Sequence, residues 1–168
     1  MFQSVNPKKS FPQIEHDQLG FWEEKKIFEK SVVNRKGRKK YVFFDGPPFA
    51  NGLPHYGHIL AGSMKDAVTR YWTMRGYYVP RANGWDCHGL PVEYEIEKEL
   101  QLSGRKDIEK MGVGKFNDAC RESVFRYTTE WEKLMKRIAR WVDFDQSYAT
   151  LDNNYMESIW WVFQQIWK

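Results

Sequence analysis

The sequence predicts an α/β fold with parallel strands. Two short β-prone segments, residues 41–44 and 77–79, lie on either side of a segment with helical periodicity. A loop rich in glycine and proline follows the first segment, and a second turn-rich loop follows the other. This order makes a βαβ unit, whose crossover is right-handed and whose ligands bind at the carboxyl ends of the strands. We therefore expect the functional site in two loops, residues 45–58 and 83–91.

The first half of the chain contains most of this unit and a helix before it. Residues 13–32 carry apolar side chains between charged ones, as in an amphipathic helix packed on a larger body. The basic run at residues 35–40 is either a solvated turn or a nucleic-acid contact. The unbroken apolar row at residues 41–44 predicts a strand buried on both faces. The prolines in residues 46–54 predict a loop, because proline cannot donate to a sheet ladder.

The crossover helix and the second strand have local boundary signals. From Gly57 onward, apolar residues recur at helical spacing, and the helix is expected to end at Gly76, which favours a left-handed cap. Residues 77–79 form the second predicted strand, which Pro80 closes. The residues that follow, 83–91, are predicted to form a turn-rich loop.

The second half of the chain is predicted to be helical. Residues 92–100 form a short helix and residues 114–141 a long one, with apolar side chains at three- and four-residue steps in the long helix. Cys120 lies on the apolar stripe of the long helix, which indicates a small core residue and not a reactive thiol. A last helix begins near Leu151 or Asp152, where an acidic group suits a helix N-terminus.

The composition indicates one domain with a sizeable core. Of the 168 residues, 42% are hydrophobic, 17% are aromatic and 29% are charged, which excludes a disordered or collagen-like chain. Four of the rings crowd the last helix: Trp160, Trp161, Phe163 and Trp167. We interpret this crowding as half of an interface with domains outside this sequence, a surface that also favours self-association when it is uncovered.

Charge and cysteine content limit the class of protein further. The 26 basic residues exceed the 22 acidic ones and the pI is near 9.0, a balance compatible with polyanionic ligands. Cys87 and Cys120 are too few for the disulfide framework of a small secreted protein. No apolar run approaches the ~20 residues of a membrane span, and residues 1–12 lack the features of a signal peptide. We expect a soluble cytoplasmic protein without a membrane partner.

Histidines are concentrated in the two predicted site loops. His55, His58 and His88 fall there, whereas His16 lies on the first predicted helix. His55 and His58 stand at the start of the crossover helix, where backbone N–H groups and the helix dipole attract anions. Gly57 between them lets a nucleotide approach the backbone. Donors at these positions would meet negative charge that develops on a phosphorus centre.

Other interpretations of these side chains stay open from the residues alone. Each histidine can be a hydrogen-bonded structural residue, and Asp86 can either bind a ligand ammonium group or cap a turn. A structural zinc site, or a Cys87 nucleophile assisted by His88, is disfavoured because adjacent residues on an extended loop point apart. The zinc ligands would be His55, His58, Cys87 and His88. Neither of the short glycine-rich phosphate-loop patterns occurs.

Two motifs resemble the class I aminoacyl-tRNA synthetases. Residues 45–58 read DGPPFANGLPHYGH, which is similar to the first signature of that class, the His-x-Gly-His (HIGH) motif at the first helix of a Rossmann-like nucleotide-binding fold. Residues 84–93 read GWDCHGLPVE, which is similar to a loop of the isoleucyl-tRNA synthetase family. The leucyl and valyl families share the first motif more loosely, and the pair Cys87 and His88 favours the isoleucyl family. The resemblance extends over essentially the whole chain.

The resemblance implies a role for each motif residue. The two histidines of the first motif would contact ATP phosphates and stabilise the transition state as the amino-acid carboxylate attacks the α-phosphorus. The loop before them would offer backbone contacts to the amino acid, and the aspartate of the second motif would bind its α-ammonium group. The implied ATP-binding residues are His55, Gly57 and His58, of which both histidines are catalytic, and the implied amino-acid-binding residues are Gly46, Pro47 and Asp86. Magnesium would accompany ATP, and no protein metal ligand is implied.

The resemblance also implies that much of the family's enzyme lies outside this chain. The second signature of the class, Lys-Met-Ser-Lys-Ser, is missing. We expect residues 1–168 to be the N-terminal part of the catalytic domain: the first half of the Rossmann-like fold with several long flanking helices, without the editing domain, the second half-fold or the anticodon-binding domain.

The expected reaction is activation of isoleucine with ATP to isoleucyl-adenylate and transfer to tRNA(Ile), with little or no activity in the isolated chain. The tRNA and the domains outside this chain would be its partners. The alternatives are a piece of a leucyl- or valyl-tRNA synthetase, and a non-catalytic module that binds nucleotide, tRNA or protein.

Overall fold

The computed structural model describes residues 6–168. The first five residues of the stretch 1–12, on which the absence of a signal peptide was argued, lie outside the described residues. The chain divides into two compact units. The first comprises residues up to Val42 together with residues 65–80, and the second comprises residues 43–64 and 81–168.

Helices and a small parallel sheet make up the described part of the chain, which confirms the α/β class. In chain order the elements are α1 (Phe11–Glu24), α2 (Ile27–Val33), α3 (Tyr56–Met74), β1 (Ala82–Trp85), α4 (Leu90–Glu99), α5 (Arg105–Met111), α6 (Val113–Ser123), α7 (Thr128–Arg137), β2 (Asp143–Ala149) and α8 (Asn153–Trp167). Helix α3 begins in the second unit and ends in the first. The helices predicted at residues 92–100 and from Leu151 or Asp152 correspond to α4 and α8.

In the first unit, α1 and α2 replace the single helix expected over residues 13–32. The amide of Lys25 donates to the carbonyl oxygen of Phe21 at 3.0 Å, and Lys26 then takes a left-handed conformation with φ of 50°. Lysine carries no local signal for this conformation, because glycine and asparagine are the residues that adopt it readily. The prediction of one continuous helix is therefore wrong at this turn.

The basic run at residues 35–40 forms a turn, as one of its two interpretations predicted. The Arg35 guanidinium reaches two carbonyl oxygens at helix ends: its Nε donates to Thr73 at 2.7 Å and its Nη1 donates to Ser31 at 2.9 Å. Cationic donors commonly satisfy the last carbonyls of a helix in this way. Arg35 is therefore a structural residue of α2 and α3.

The strands predicted at residues 41–44 and 77–79 are reduced to one parallel bridge between Lys40 and Tyr78. The amide of Tyr41 donates to the Tyr78 carbonyl oxygen at 2.9 Å, and the amide of Tyr78 donates to the Lys39 carbonyl oxygen at 3.0 Å. The pairing partner was thus predicted correctly, but the extent of the strands was wrong. The expected burial on both faces is also wrong, since the Phe44 side chain is 90% exposed.

Helix α3 ends at Gly76 as predicted. Gly76 is left-handed with φ of 89°, its amide donates to the Thr73 carbonyl oxygen at 3.0 Å, and the Tyr77 amide donates to the Trp72 carbonyl oxygen at 3.1 Å. These two bonds are the pair that defines a Schellman cap. The helix begins at Tyr56, one residue before the predicted start.

In the second unit, β1 and β2 pair in parallel, with Gly84 opposite Tyr148 and Trp85 opposite Ala149. The prediction of a loop over residues 83–91 is wrong at both ends, because residues 83–85 lie in β1 and residues 90–91 begin α4, and β2 was not predicted at all. The buried Asn83 is held in the strand by its amide, which donates to the Ser147 hydroxyl at 3.0 Å. Gly84 accommodates the Tyr148 ring, because a Cβ atom there would lie 2.4 Å from Tyr148 Cζ. Two residue types that are typical of turns thus lie in this strand because residues of β2 contact them.

The core of the second unit packs the end of β1 against α4, the turn after α6, and α7. Its buried members are Ala50, Trp85, Cys87, Val92, Val124, Trp131, Met135 and Ala149. Cys120 packs against this cluster, and burial raises the pKa of its thiol, as expected of a core residue.

The long helix predicted at residues 114–141 is two helices, α6 and α7. Between them the Tyr127 amide donates to the Ala50 carbonyl oxygen at 3.3 Å, a bond to a loop far away in sequence. After α7, Ala139 takes a left-handed conformation with φ of 60°, so the chain turns before Trp141. The apolar periodicity was correct, but it could not show where the backbone bends.

The aromatic side chains of α8 lie at the surface among the described residues. Trp160, Trp161, Phe163 and Trp167 are all exposed, and Trp167 retains 80% of its accessible area. Their exposure agrees with an uncovered apolar face, whereas the identity of a covering surface stays a prediction. Among the helices of residues 6–168, none has the length and hydrophobicity of a membrane span.

Candidate functional site

The two histidines of the first motif form a reciprocal cap at the start of α3. The backbone N–H of Gly57 donates to His55 Nδ1 at 3.1 Å, and the backbone N–H of His55 donates to His58 Nδ1 at 3.1 Å. The arrangement is related to a capping box, with imidazoles as the acceptors, but the first side chain accepts from the second helical residue and not the third. Because each Nδ1 accepts a hydrogen bond, a neutral imidazole at either position carries its proton on Nε2.

Ring packing holds the histidine pair. The imidazoles of His55 and His58 stack with their centroids 3.8 Å apart, and the His58 ring lies 4.6 Å from the ring of Trp131. Trp131 is 3% exposed, and its indole N–H donates to the Gly52 carbonyl oxygen at 2.8 Å. The buried indole therefore connects the loop before α3 to the second histidine.

Gly57 leaves room for this packing. A Cβ atom at position 57 would lie 3.0 Å from His55 Cε1 and 3.1 Å from His55 Nδ1, closer than most van der Waals contacts. A larger residue would require the His55 ring to shift by a few tenths of an ångström. The glycine thus allows the histidine arrangement in addition to leaving the backbone accessible.

The loop before α3 is tied to the end of β1. The Asp86 amide donates to the Pro48 carbonyl oxygen at 2.9 Å, and Phe49 and Asp86 form a parallel bridge. The Asn51 side-chain amide donates to the Pro91 carbonyl oxygen at 2.8 Å. The two loops that the sequence singled out are therefore joined by backbone and side-chain hydrogen bonds.

An ion pair anchors the start of the same loop. Arg140 Nη2 lies 2.6 Å from Asp45 Oδ2, and both side chains are mostly buried. Gly46 follows at the surface, and Pro47 is half-buried. Gly46 and Pro47, which are predicted to offer backbone contacts, thus directly follow Asp45, whose side chain is held by the ion pair with Arg140.

The carboxylate of Asp86 is held from β2. The Thr150 hydroxyl donates to Asp86 Oδ1 at 3.3 Å and accepts from the Cys87 amide at 2.9 Å. The Thr150 backbone amide donates to the Trp85 carbonyl oxygen at 3.0 Å. Sequence reasoning missed Thr150, Trp131 and Arg140. None of them carries a local signal, because their partners are 63, 79 and 95 residues away along the chain.

Cys87 and His88 diverge in the structure. Cys87 is buried, its thiol donates to the Trp85 carbonyl oxygen at 3.4 Å, and burial raises the pKa of that thiol. His88 is exposed. A buried thiol with a raised pKa is a poor nucleophile, which argues against the Cys87 alternative. Within residues 6–168 there is no group of three metal-ligating side chains placed to hold an ion.

The structure thus brings the predicted residues together in the second unit. His55 and His58 form the cap of α3, Trp131 and Trp85 pack edge to face at 6.4 Å behind them, and Asp86 follows Trp85 directly. The remaining histidine, His16, lies on α1 in the first unit. An anion-attracting helix start and a carboxylate therefore occur on connected loops.

The sequence profile of the class I tRNA synthetases (I, L, M and V) matches residues 17–168. The chain belongs to the class I tRNA synthetases. It is 55% identical over all of its 168 residues to the isoleucine–tRNA ligase of Treponema denticola, and 58% identical over 167 residues to that of Protochlamydia amoebophila. This synthetase chain spans about 15% of the length of the curated relatives it matches.

A solved structure shows the same fold. The crystal structure of the Agrobacterium radiobacter K84 agnB2 LeuRS–tRNA–LeuAMS ternary complex superposes with a TM-score of 0.58 at 23% identity. The match covers 91% of this synthetase chain and 17% of the LeuRS chain. The two-stranded parallel sheet and its helices are therefore part of a Rossmann-like α/β synthetase fold.

Proposed function

We propose that residues 1–168 are the N-terminal part of the catalytic domain of an isoleucine–tRNA ligase. The reaction would be activation of isoleucine with ATP to isoleucyl-adenylate, followed by transfer of the isoleucyl group to tRNA(Ile). The observation that carries the proposal is the identity of 55% to an isoleucine–tRNA ligase over all 168 residues, a range that spans both site motifs. The geometry of the motif residues supports it independently.

The histidine pair is suited to the ATP end of this reaction. With both Nδ1 atoms accepting backbone N–H groups, His55 and His58 would direct Nε2–H donors toward the phosphates. The start of α3 adds the positive end of a 19-residue helix. Attack of the amino-acid carboxylate on the α-phosphorus spreads negative charge over phosphate oxygens, which preorganised donors stabilise. Gly57 would let the nucleotide approach this helix start.

The ATP would arrive as its magnesium complex. We propose magnesium as the counter-ion of the nucleotide, because Mg²⁺ is commonly bound through substrate phosphates. The histidine donors fit such a ligand, because neutral N–H groups contact phosphate oxygens without competing for the cation.

The second loop is suited to the amino-acid end. Asp86 is half-buried on a fixed backbone and would accept hydrogen bonds from the α-ammonium group of isoleucine. Gly46 and Pro47 would contribute backbone contacts, held in place by the neighbouring pair of Asp45 and Arg140. Positioning both substrates in this way accounts for much of the catalysis expected of a displacement at phosphorus.

The rest of the enzyme would lie outside this chain. A chain that spans about 15% of its relatives leaves room for the second half-fold, the editing domain and the anticodon-binding domain. We propose that such domains cover the exposed rings of α8 and that tRNA(Ile) binds through the complete enzyme in the cytoplasm. Editing would be needed because one methylene group discriminates isoleucine from valine by only ~1 to 3 kcal/mol.

The test measures amino-acid-dependent exchange of pyrophosphate into ATP. We expect exchange with isoleucine in the full-length synthetase that carries this sequence and little or none in residues 1–168 alone. His55→Ala or His58→Ala in the full-length enzyme should lower kcat by about 100-fold or more, since each removes a donor to the developing charge. His16→Ala, an exposed histidine of α1, is the matched control and should leave exchange unchanged.

Each alternative has its own result. Exchange that depends on leucine or valine and not on isoleucine would reassign the substrate. Vigorous exchange by residues 1–168 alone would contradict the partial-domain proposal. Calorimetric titration of residues 1–168 with ATP, isoleucine and tRNA, each separately, tests the alternative of a non-catalytic module. Tight binding of tRNA without binding of ATP or isoleucine would identify such a module.

A further inference from the structure

We propose that Thr150 is a positioning residue that orients the Asp86 carboxylate toward the α-ammonium group of the amino acid. The proposal rests on the function proposed above, because it assigns Asp86 to substrate binding. Thr150 directly follows β2 and is 6% exposed, so its hydroxyl is placed inside the second unit and not at its surface.

The hydrogen bonds of Thr150 direct its hydroxyl proton toward Asp86. The hydroxyl oxygen accepts from the Cys87 amide at 2.9 Å. A hydroxyl has a single proton to donate, and Asp86 Oδ1 lies 3.3 Å from the oxygen. The same residue donates its own amide to the Trp85 carbonyl oxygen at 3.0 Å. Thr150 therefore contacts three consecutive residues of the second motif.

These contacts fix the carboxylate from two sides. The backbone of Asp86 is held by its bond to the Pro48 carbonyl oxygen at 2.9 Å, and its side chain is held at Oδ1 by Thr150. Within residues 6–168 no protein donor contacts Oδ2, and the side chain is half-buried. One carboxylate oxygen is thus used for orientation while the other remains for a cationic ligand, the division of roles that a preorganised ammonium site requires.

The residue type at position 150 matters for this role. Valine has nearly the shape of threonine but neither donates to Asp86 nor accepts from the Cys87 amide. Serine keeps both hydrogen bonds and loses only a methyl group. A positioning role therefore predicts that valine impairs amino-acid binding and that serine largely restores it.

The experiment measures KM for isoleucine, KM for ATP and kcat in pyrophosphate exchange by the full-length synthetase. Thr150→Val should raise KM for isoleucine about tenfold, the weaker end of the effect of losing a hydrogen bond to a charged group, with KM for ATP within about twofold. Thr150→Ser should return KM for isoleucine to within about threefold of the parent enzyme. If Thr150→Val does not fold, Thr150→Ala replaces it as the variant without a hydroxyl.

Thr73→Val is the matched control. Thr73 is also 6% exposed, and its hydroxyl donates to the Thr69 carbonyl oxygen at 2.8 Å in the first unit. Thr73→Val also removes a buried threonine hydroxyl, but one that bonds a helix carbonyl away from Asp86. Its unfolding midpoint should fall no more than that of Thr150→Val, and its KM for isoleucine should stay unchanged.

Asp86→Asn separates this proposal from the function on which it rests. If Thr150 acts through Asp86, adding Thr150→Val to Asp86→Asn should raise KM for isoleucine no further. If Asp86→Asn strongly raises KM for isoleucine while Thr150→Val either has no effect on it or adds its full effect in the double variant, the role of Thr150 is overturned and the ammonium site stands. No effect of Asp86→Asn on KM for isoleucine overturns the ammonium site itself. Equal impairment by serine and valine at position 150 also rules out positioning by the hydroxyl.

Discussion

Replacing Gly84 by alanine tests the close approach of the two strands in the second unit. An alanine Cβ atom would lie 2.4 Å from Tyr148 Cζ, 2.5 Å from Cε1 and 2.9 Å from the phenol oxygen. Ordinary carbon–carbon contacts are about 3.5–4.0 Å, so the ring would have to move by about 1 Å or more. The Tyr148 ring is not free to do so without loss, because it stacks on Tyr155 with centroids 5.9 Å apart and planes at 9°.

Two opposing terms decide the sign of the effect. Alanine in a strand is favoured over glycine by roughly 0.5–1 kcal/mol, because it has less backbone entropy to lose on folding. Overpacking typically costs about 1–3 kcal/mol, and loss of the ring stack adds about 0.5–1.5 kcal/mol. The net loss is therefore about 0.5–4 kcal/mol, and we expect Gly84→Ala to lower the free energy of unfolding by about 2 kcal/mol in spite of the entropic gain.

Urea unfolding followed by tryptophan fluorescence measures this change. With an m value of about 2 kcal/mol per molar, the midpoint should fall by about 1 M. Gly114→Ala is the matched control in the same unit, since a Cβ atom there meets nothing within 4 Å and position 114 lies in α6. It should keep or increase stability, as alanine is the better helix former.

A double variant identifies the Tyr148 ring as the cause. In a Tyr148→Ala background, Gly84→Ala should no longer destabilise and should recover the entropic gain. An equal loss in both backgrounds would refute the steric explanation. So would a parent protein that is stabilised by Gly84→Ala.

Three further predictions follow from buried contacts. Trp131→Phe should lower the free energy of unfolding by about 1–2 kcal/mol, because the bond to the Gly52 carbonyl oxygen is lost; an unchanged urea midpoint would contradict this. Arg140→Met should cost about 1.5–3 kcal/mol through loss of the charged bond to Asp45, with partial recovery in the Asp45→Asn/Arg140→Met double variant. Burial raises the Cys87 pKa, so the native thiol stays protonated when an unfolded thiol, with a pKa of 9.0, ionises. The contribution of the protonated Cys87 thiol to stability is complete below the pKa of the unfolded thiol. It is lost as the pH rises through the higher pKa of the folded protein. Iodoacetamide should therefore modify Cys87 at pH 9 at least tenfold more slowly in the native protein than in urea, and equal rates would contradict burial.

Local signals predicted those elements whose boundaries depend on neighbouring residues. The left-handed glycine at position 76 ends α3 as expected, and Asp152 directly precedes α8. The proline-rich segment 46–54 contains no helix or extended strand. The two motifs fall where the fold places connected loops. These features depend on backbone preferences and capping, which operate over a few residues.

Elements that depend on distant partners were missed or misplaced. β1 contains Asn83 and Gly84, residue types of turns, and becomes a strand because β2 supplies a hydrogen bond and a ring that requires the glycine. The break before α7 coincides with a bond from Tyr127 to Ala50. Periodicity cannot reveal such contacts, since it reports only which face of a segment is apolar.

Local sequence signals were enough to place the α/β class, the start of α3 with its two histidines, and the aspartate of the second motif. The residues that hold this site in place became visible only in the folded chain: Trp131 against His58, Arg140 on Asp45, and Thr150 on Asp86. A histidine at a helix start is specified by its neighbours in the chain. The orientation of a side chain depends on hydrogen bonds and packing from residues that only folding brings near.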